Sequence, residues 1–192
     1  MPPKSPSSLK SLKSLKSLKS LLSPAKDILL FLALLFGFHF IYIGWSQGLE
    51  FWPIEGQVLG LFEWVANGLL KQSVWVLQAL DVDVVLVDQT IYANNNEAYV
   101  SVVPECTTLK QWMHWIVIMV FFPGPWRHKL WYIPLGIGVI HLTNIFRITG
   151  LTLIQFPFPN GFHFFHDYFF KTLFYAVIFL MWVFWNEKMR RK

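Results

Sequence analysis

"ILLFLALLFGFHFIYIGW", residues 28 to 45, is eighteen residues without a formal charge. At about 1.5 Å of rise per residue it makes roughly 27 Å of helix, close to the thickness of a bilayer's hydrocarbon core. It is long for the apolar part of a secretory signal and no A-x-A-like cleavage site follows it, so it reads as a retained anchor. The whole chain agrees with that reading. Of its 192 residues 55% are hydrophobic, 18% aromatic and only 14% charged, which is too apolar for an ordinary soluble domain.

Working outward, three more candidate spans run from Leu109 to Trp126, from Leu130 to about Leu153 and from Tyr168 to Trp185. The stretch from Val58 to Leu80 is interrupted by Glu63, Lys71 and Gln72, the pattern of an amphipathic helix lying at the membrane interface. Basic residues mark cytoplasmic segments. They fall before the first span (Lys4, Lys10, Lys13, Lys16, Lys19, Lys26), between the second and third (Arg127, His128, Lys129) and after the last (Lys188, Arg190, Arg191, Lys192). Four spans put all three clusters on one side. The segment from 46 to 105, with eight acids against Lys71 alone, then lies outside.

The expected fold is therefore an all-α integral membrane protein of about four transmembrane helices, with an interfacial helix and a small extracytoplasmic β-hairpin. Its parts are a basic cytoplasmic tail (1–26), a first transmembrane helix (27–45), an extracytoplasmic segment (46–105), and a membrane core with a basic C-terminal tail (106–192). The tail repeats "SLK" four times and reads as a solvated topogenic tract near anionic headgroups. The hairpin is expected in "DVDVVLVDQTIYANNNEAYVSVV" (81–103), where β-branched and aromatic residues flank three asparagines that tolerate turn conformations. It leads toward Cys106, the chain's single cysteine, and is expected to lie over the site and help select substrate, either by pairing its edge with an extended peptide or as a simple lid.

That topology puts three reactive groups at the outer edge of the bilayer. Cys106 begins the second span, Arg147 lies roughly 9 Å below the outer end of the third, and His166 begins the fourth. An arginine within a span is costly and so by default functional or paired. His141, Asn144 and Arg147 recur every three residues, a polar stripe that points into a bundle. A lone cysteine is commonly just a small buried hydrophobe, and a stripe can simply bind neighbouring helices. His39 and His114 sit inside spans, with inter-helix hydrogen bonding as their expected role, and His128 belongs to the basic inner loop. His163 and His166 have the spacing of a metal pair, yet a third ligand beyond Asp167 is missing, so no metal and no cofactor is assigned.

"ECTTL" (105–109), "NIFRI" (144–148) and "HD" (166–167), each at the outer end of a consecutive span, resemble the Cys, Asn-x-x-Arg and His motifs of the exosortase/archaeosortase family. The resemblance implies a prokaryotic plasma-membrane cysteine transpeptidase, its site facing outside, that processes proteins ending in a short motif, a transmembrane helix and a basic tail. The likeness covers about residues 81 to 185. Members commonly carry Gly two residues after the cysteine, where this chain has Thr108, and larger members have further spans.

The chemistry of the trio can also be argued from its residue types. A nearby cation favours the thiolate, so Arg147 would activate Cys106 and stabilise the oxyanion formed by its attack on a peptide carbonyl. His166 would protonate the leaving amine and later deprotonate the acceptor, with Asp167 and Asn144 in support. The competing reading is a non-catalytic membrane assembly subunit. A thiol–disulfide oxidoreductase would need paired thiols. The net charge of +5 serves topology and lipid contact rather than nucleic acid, since the lysines cluster at the inner ends without interleaved aromatics.

Overall fold

The computed structural model describes residues 6–48, 55–93, 98–103, 106–155 and 157–190. Helix α1, Pro6–Gln47, carries the first apolar run in its second half, Ala25–Gln47. The backbone of the SLK repeats is helical as well, because Leu and Lys are good helix formers and no glycine interrupts them. Helix α2 is Glu55–Ala79. Three short strands follow: β1 Val84–Val87, β2 Thr90–Ala93 and β3 Ala98–Ser101. Helices α3 (Leu109–Phe121) and α4 (Trp126–Gln155) come next. Last is a continuous helical segment, α5, Pro159–Met189, with π-helical stretches at Phe165–Phe169 and Trp185–Met189.

Three of these helices, in α1, α4 and α5, are long and apolar enough to cross a membrane. The expected second span is a helix of only 13 residues, about 20 Å. Two prolines and Gly124 in "FFPGPW" end it, and Gly124 adopts a φ of +153° against the Trp185 ring, a conformation that disfavours any side chain. Helix α3 nonetheless packs lengthwise between its neighbours. Its level follows α4 from Asn144, which bonds the Cys106 carbonyl, down to Lys129, whose Nζ caps the carbonyls of Phe122 (2.7 Å) and Val120 (3.1 Å). A lysine is well suited to the negative end of a helix.

The membrane half of the core is aromatic. Phe31 of α1, Trp115 and Phe122 of α3, Tyr132 of α4, and Phe174 and Trp182 of α5 pack together. Trp115 donates through Nε1 to the Ile133 carbonyl and lies so close to Gly136 that a Cβ there would collide with its indole. At the basic end Arg190 bonds Asp27 at 2.6 Å, tying α5 to α1, and His128 Nδ1 meets the Met189 carbonyl at 3.2 Å.

Helix α2 buries Phe62, Ala66, Leu69 and Leu77 against the sheet, Leu109 and Ile148, positions recurring every three or four residues as an amphipathic helix requires. Its opposite face exposes Trp64 and Trp75, residues favoured at membrane interfaces. Where a hairpin was expected there is a three-stranded antiparallel sheet in the order β1-β2-β3. The extra strand comes from a tight turn at Asp88-Gln89, where Asp88 takes a φ of +51°, a region that aspartate enters more readily than most residues. The asparagine turn, residues 94–96, lies outside the described residues.

Candidate active site

Cys106 sits between β3 and α3, half-buried. Its backbone is held at both ends: its N–H donates to the Val103 carbonyl at 2.8 Å, and its carbonyl accepts from Asn144 Nδ2 at 3.0 Å. One helical turn beyond Asn144, on the same face of α4, the buried side chain of Arg147 reaches the same place. Its Nη2 is 2.9 Å from His166 Nε2 and 3.8 Å from Cys106 Sγ. Sγ and Nε2 are 4.0 Å apart. The three sequence-selected groups thus converge from three separate elements.

Helix α5 presents His166 from its first π-helical stretch. Such bulges cost helix regularity and recur at functional positions. The ring stacks on Phe162 (centroids 5.6 Å, planes 16° apart), which fixes its plane. Guanidinium has only donors, so Nε2 must be the accepting nitrogen and Nδ1 carries the proton. Nδ1 then donates to Asp167 Oδ1 at 3.1 Å. The same oxygen accepts from Lys171 Nζ at 3.0 Å. Lys171 was not singled out in the sequence, although it stands one turn after Asp167, the spacing of a helical ion pair.

The polar stripe divides. Asn144 and Arg147 serve the cysteine, whereas His141 Nε2 pairs with Gln72 Oε1 of α2 at 2.6 Å and ties the interfacial helix to α4. His163 has a side chain 91% exposed and stands 3.8 Å from the far oxygen of Asp167. His39 and His114 face each other as rings 6.2 Å apart between α1 and α3. Among the described residues no three His, Cys, Asp or Glu side chains gather as a metal site would need.

The trio lines a cavity of about 960 Å³. Its rim on the sheet side is made by Tyr99 to Val103, and its deeper wall includes Lys110, Gln111 and His114 of α3. The cavity lies at the end of the bundle away from Arg127, Lys129 and Arg190. Roughly 22 Å of α4 axis separates Asn144 from Lys129 at 1.5 Å per residue.

Against this geometry, the sequence model described as transmembrane exosortase (Exosortase_EpsH) matches residues 63–184. The chain belongs to the transmembrane exosortase family. The match starts within α2, takes in the sheet and all three convergent residues, and ends within α5. Neither the curated proteins nor the solved structures provide a match. In this exosortase the Thr108 backbone has φ −81° and ψ 3°, a bridge-region conformation with negative φ that needs no glycine. Thr108 is buried at the start of α3 and carries the first helical carbonyl, bonded by Trp112 N–H at 2.8 Å.

Proposed function

We propose that this exosortase is a membrane cysteine transpeptidase that cleaves C-terminal sorting signals of exported proteins at the outer face of a prokaryotic plasma membrane. One observation carries the reading: sulfur, guanidinium and imidazole meet within 4.0 Å on the wall of one cavity. A helix-gluing role for the same residues accounts for Asn144, but gives no reason for an accessible thiol beside a buried arginine.

In the proposed reaction the Cys106 thiol passes its proton to His166 Nε2 while Sγ bonds to the scissile carbonyl carbon. To free that lone pair, Arg147 turns its Nη2 from the imidazole to the forming oxyanion, a short move because all three groups already touch. Charge-assisted donors in a water-poor site are the usual source of such stabilisation. Collapse breaks the C–N bond, His166 returns the proton to the departing amine, and a thioester remains on Cys106. An acceptor amine, hydroxyl or water then loses a proton to His166 and attacks the thioester, expelling the thiolate. Asp167 holds the imidazolium formed in each half, and Asn144 keeps the Cys106 carbonyl from drifting. The substrates are proteins ending in a short motif, an apolar span and a basic tail, whose span the bilayer and the exposed apolar faces of the bundle accommodate.

The deciding experiment compares the mass of exported and membrane proteins in cells making the wild-type chain or Cys106→Ala at equal levels. The reading requires at least one protein that keeps its C-terminal segment only when Cys106 is lost. Identical masses throughout would reject it.

A further inference from the structure

Strand β3 is an edge of the sheet, and the register says which of its backbone groups are unused by it. Antiparallel pairs alternate between those that exchange hydrogen bonds and those that do not. Ile91 stands opposite Val100 and Tyr92 opposite Tyr99. The N–H of Val102 donates to the Gln89 carbonyl at 2.8 Å, so Val102, Val100 and Ala98 turn their N–H and C=O groups toward β2. Tyr99, Ser101 and Val103 turn theirs to the open edge. The Val103 carbonyl is taken by the N–H of Cys106, so this edge runs directly into the nucleophile's own backbone. Residues 99 to 103 also line the cavity that holds Cys106, Arg147 and His166.

We infer that the open edge of β3 binds the substrate as an added strand, running parallel to β3, with the residues preceding the scissile bond paired to the backbone of Tyr99 and Ser101. This rests on the transpeptidase reading and adds where and in which direction the polypeptide lies. The occupant is an extended peptide because the edge offers a ladder of backbone donors and acceptors and no charged side chain. An exposed edge is otherwise a liability that proteins cover or blunt, and neither proline nor lysine does so at Ala98–Ser101. The direction follows from packing. Val100 is buried against Leu151 and Phe170, whereas the Cys106 carbonyl is bonded by Asn144. Leu151 lies roughly 10 Å farther along α4 from the basic end than Asn144. Strand β3 therefore descends toward the bundle as it approaches the thiol. A polypeptide whose exported part is outside and whose C-terminal span enters the bilayer descends the same way, and the part lying on β3 is the part retained in the thioester.

The register supplies the test. Proline at position 101 removes an N–H that the sheet does not use, so it leaves the β2–β3 ladder intact, as prolines on edge strands do. The probe is a reporter fused to the C-terminal region of a protein whose processing requires Cys106. Ser101→Pro should slow its cleavage about tenfold, the usual scale of one lost directed hydrogen bond, while Cys106 still alkylates at the wild-type rate. In parallel, a photoreactive benzoylphenylalanine at Tyr99 in Cys106→Ala protein should crosslink the reporter within the few residues before its cleavage site. That readout does not depend on how the proline variant folds. Wild-type cleavage by Ser101→Pro, or crosslinks only beyond the cleavage site, overturns the inference while leaving the catalytic reading intact. If no protein depends on Cys106 for processing, both fail together.

Discussion

Arg147 Nη2 lies 2.9 Å from His166 Nε2, closer than either group lies to the Cys106 sulfur. Because the guanidinium can only donate, this contact fixes the imidazole with its proton on Nδ1 and its Nε2 lone pair on the arginine, 4.0 Å from the thiol sulfur. Arginine does this from a rigid planar group that aims Nη2 at both the imidazole and the sulfur, an orientation that a lysine's compact, freely rotating ammonium does not fix. Arg147→Lys should therefore lower substrate cleavage by about 10² to 10³, the range for losing one directed oxyanion donor. The precursor-to-product mass ratio at equal membrane levels measures it. Near-normal cleavage by the lysine variant would mean that charge alone suffices.

Cys106→Ala should abolish cleavage and Cys106→Ser should come close to doing so, since a hydroxyl lacks the thiol's accessible ionisation. The cysteine is half-buried in a short connection held by backbone bonds. Cys106 is only partly buried where it packs against the core around α2, so neither variant should change stability, followed by the thermal midpoint in detergent, by more than about 1 kcal/mol. Cleavage retained by Cys106→Ala would end the transpeptidase reading.

Much of this arrangement was legible from residue types and their order. The uncharged run at 28–45 lies in the part of α1 that is long and apolar enough to cross a membrane, and Cys106, Asn144, Arg147 and His166 meet because alternating helices return to the same end. Other features were not legible, for reasons that can be named. A turn at Asp88 carries no glycine, so β1 merged with β2 in the sequence pattern. The π-helical stretch under His166 has no sequence signature at all. Lys171 could have been found from its spacing to Asp167.

Asn144 touches neither sulfur nor imidazole; it donates to the Cys106 carbonyl and acts by positioning. Asn144→Ala leaves that carbonyl without its donor, at a cost of about 1–3 kcal/mol if it stays buried. Cleavage should slow with little change in apparent substrate affinity, and iodoacetamide should label Cys106 faster as the connection loosens. Asn144→Asp sets an acceptor against an acceptor and should be worse than Ala. Equal labelling rates in all three proteins would remove the positioning role.

His166 and His163 share Asp167 but in different ways: His166 bonds one oxygen at 3.1 Å, whereas exposed His163 stands 3.8 Å from the other. His166→Ala should slow both acylation and thioester resolution by about 10² or more, the usual contribution of a positioned acid–base group. His163→Ala should stay within about twofold. Asp167→Asn should fall between them and, by nitrogen-15 NMR of His166, move the proton population from Nδ1 toward Nε2. Equal losses for the two histidines would instead favour a shared ligand-binding role.

The sidedness of the site rests on where the bundle places its charges. Arg127, Lys129 and Arg190 gather at one end, the last held by Asp27 at 2.6 Å, and the thiol lies roughly 22 Å of helix axis away. Basic residues stay with the cytoplasm, so under the proposed topology α3 would carry the chain across most of that distance with its 13 residues. The aromatic packing around Trp115 and the Lys129 cap at its end favour this, because Lys129 Nζ satisfies the Val120 and Phe122 carbonyls there. Single cysteines placed at exposed Arg127, exposed Lys188 and exposed Val87 in a Cys106→Ser background report the result. A membrane-impermeant maleimide added to intact spheroplasts should label position 87 and spare 127 and 188 until the membrane is opened. Labelling of position 127 from outside would mean that α3 turns back without crossing, and the basic loop after it would then face the same side as the thiol.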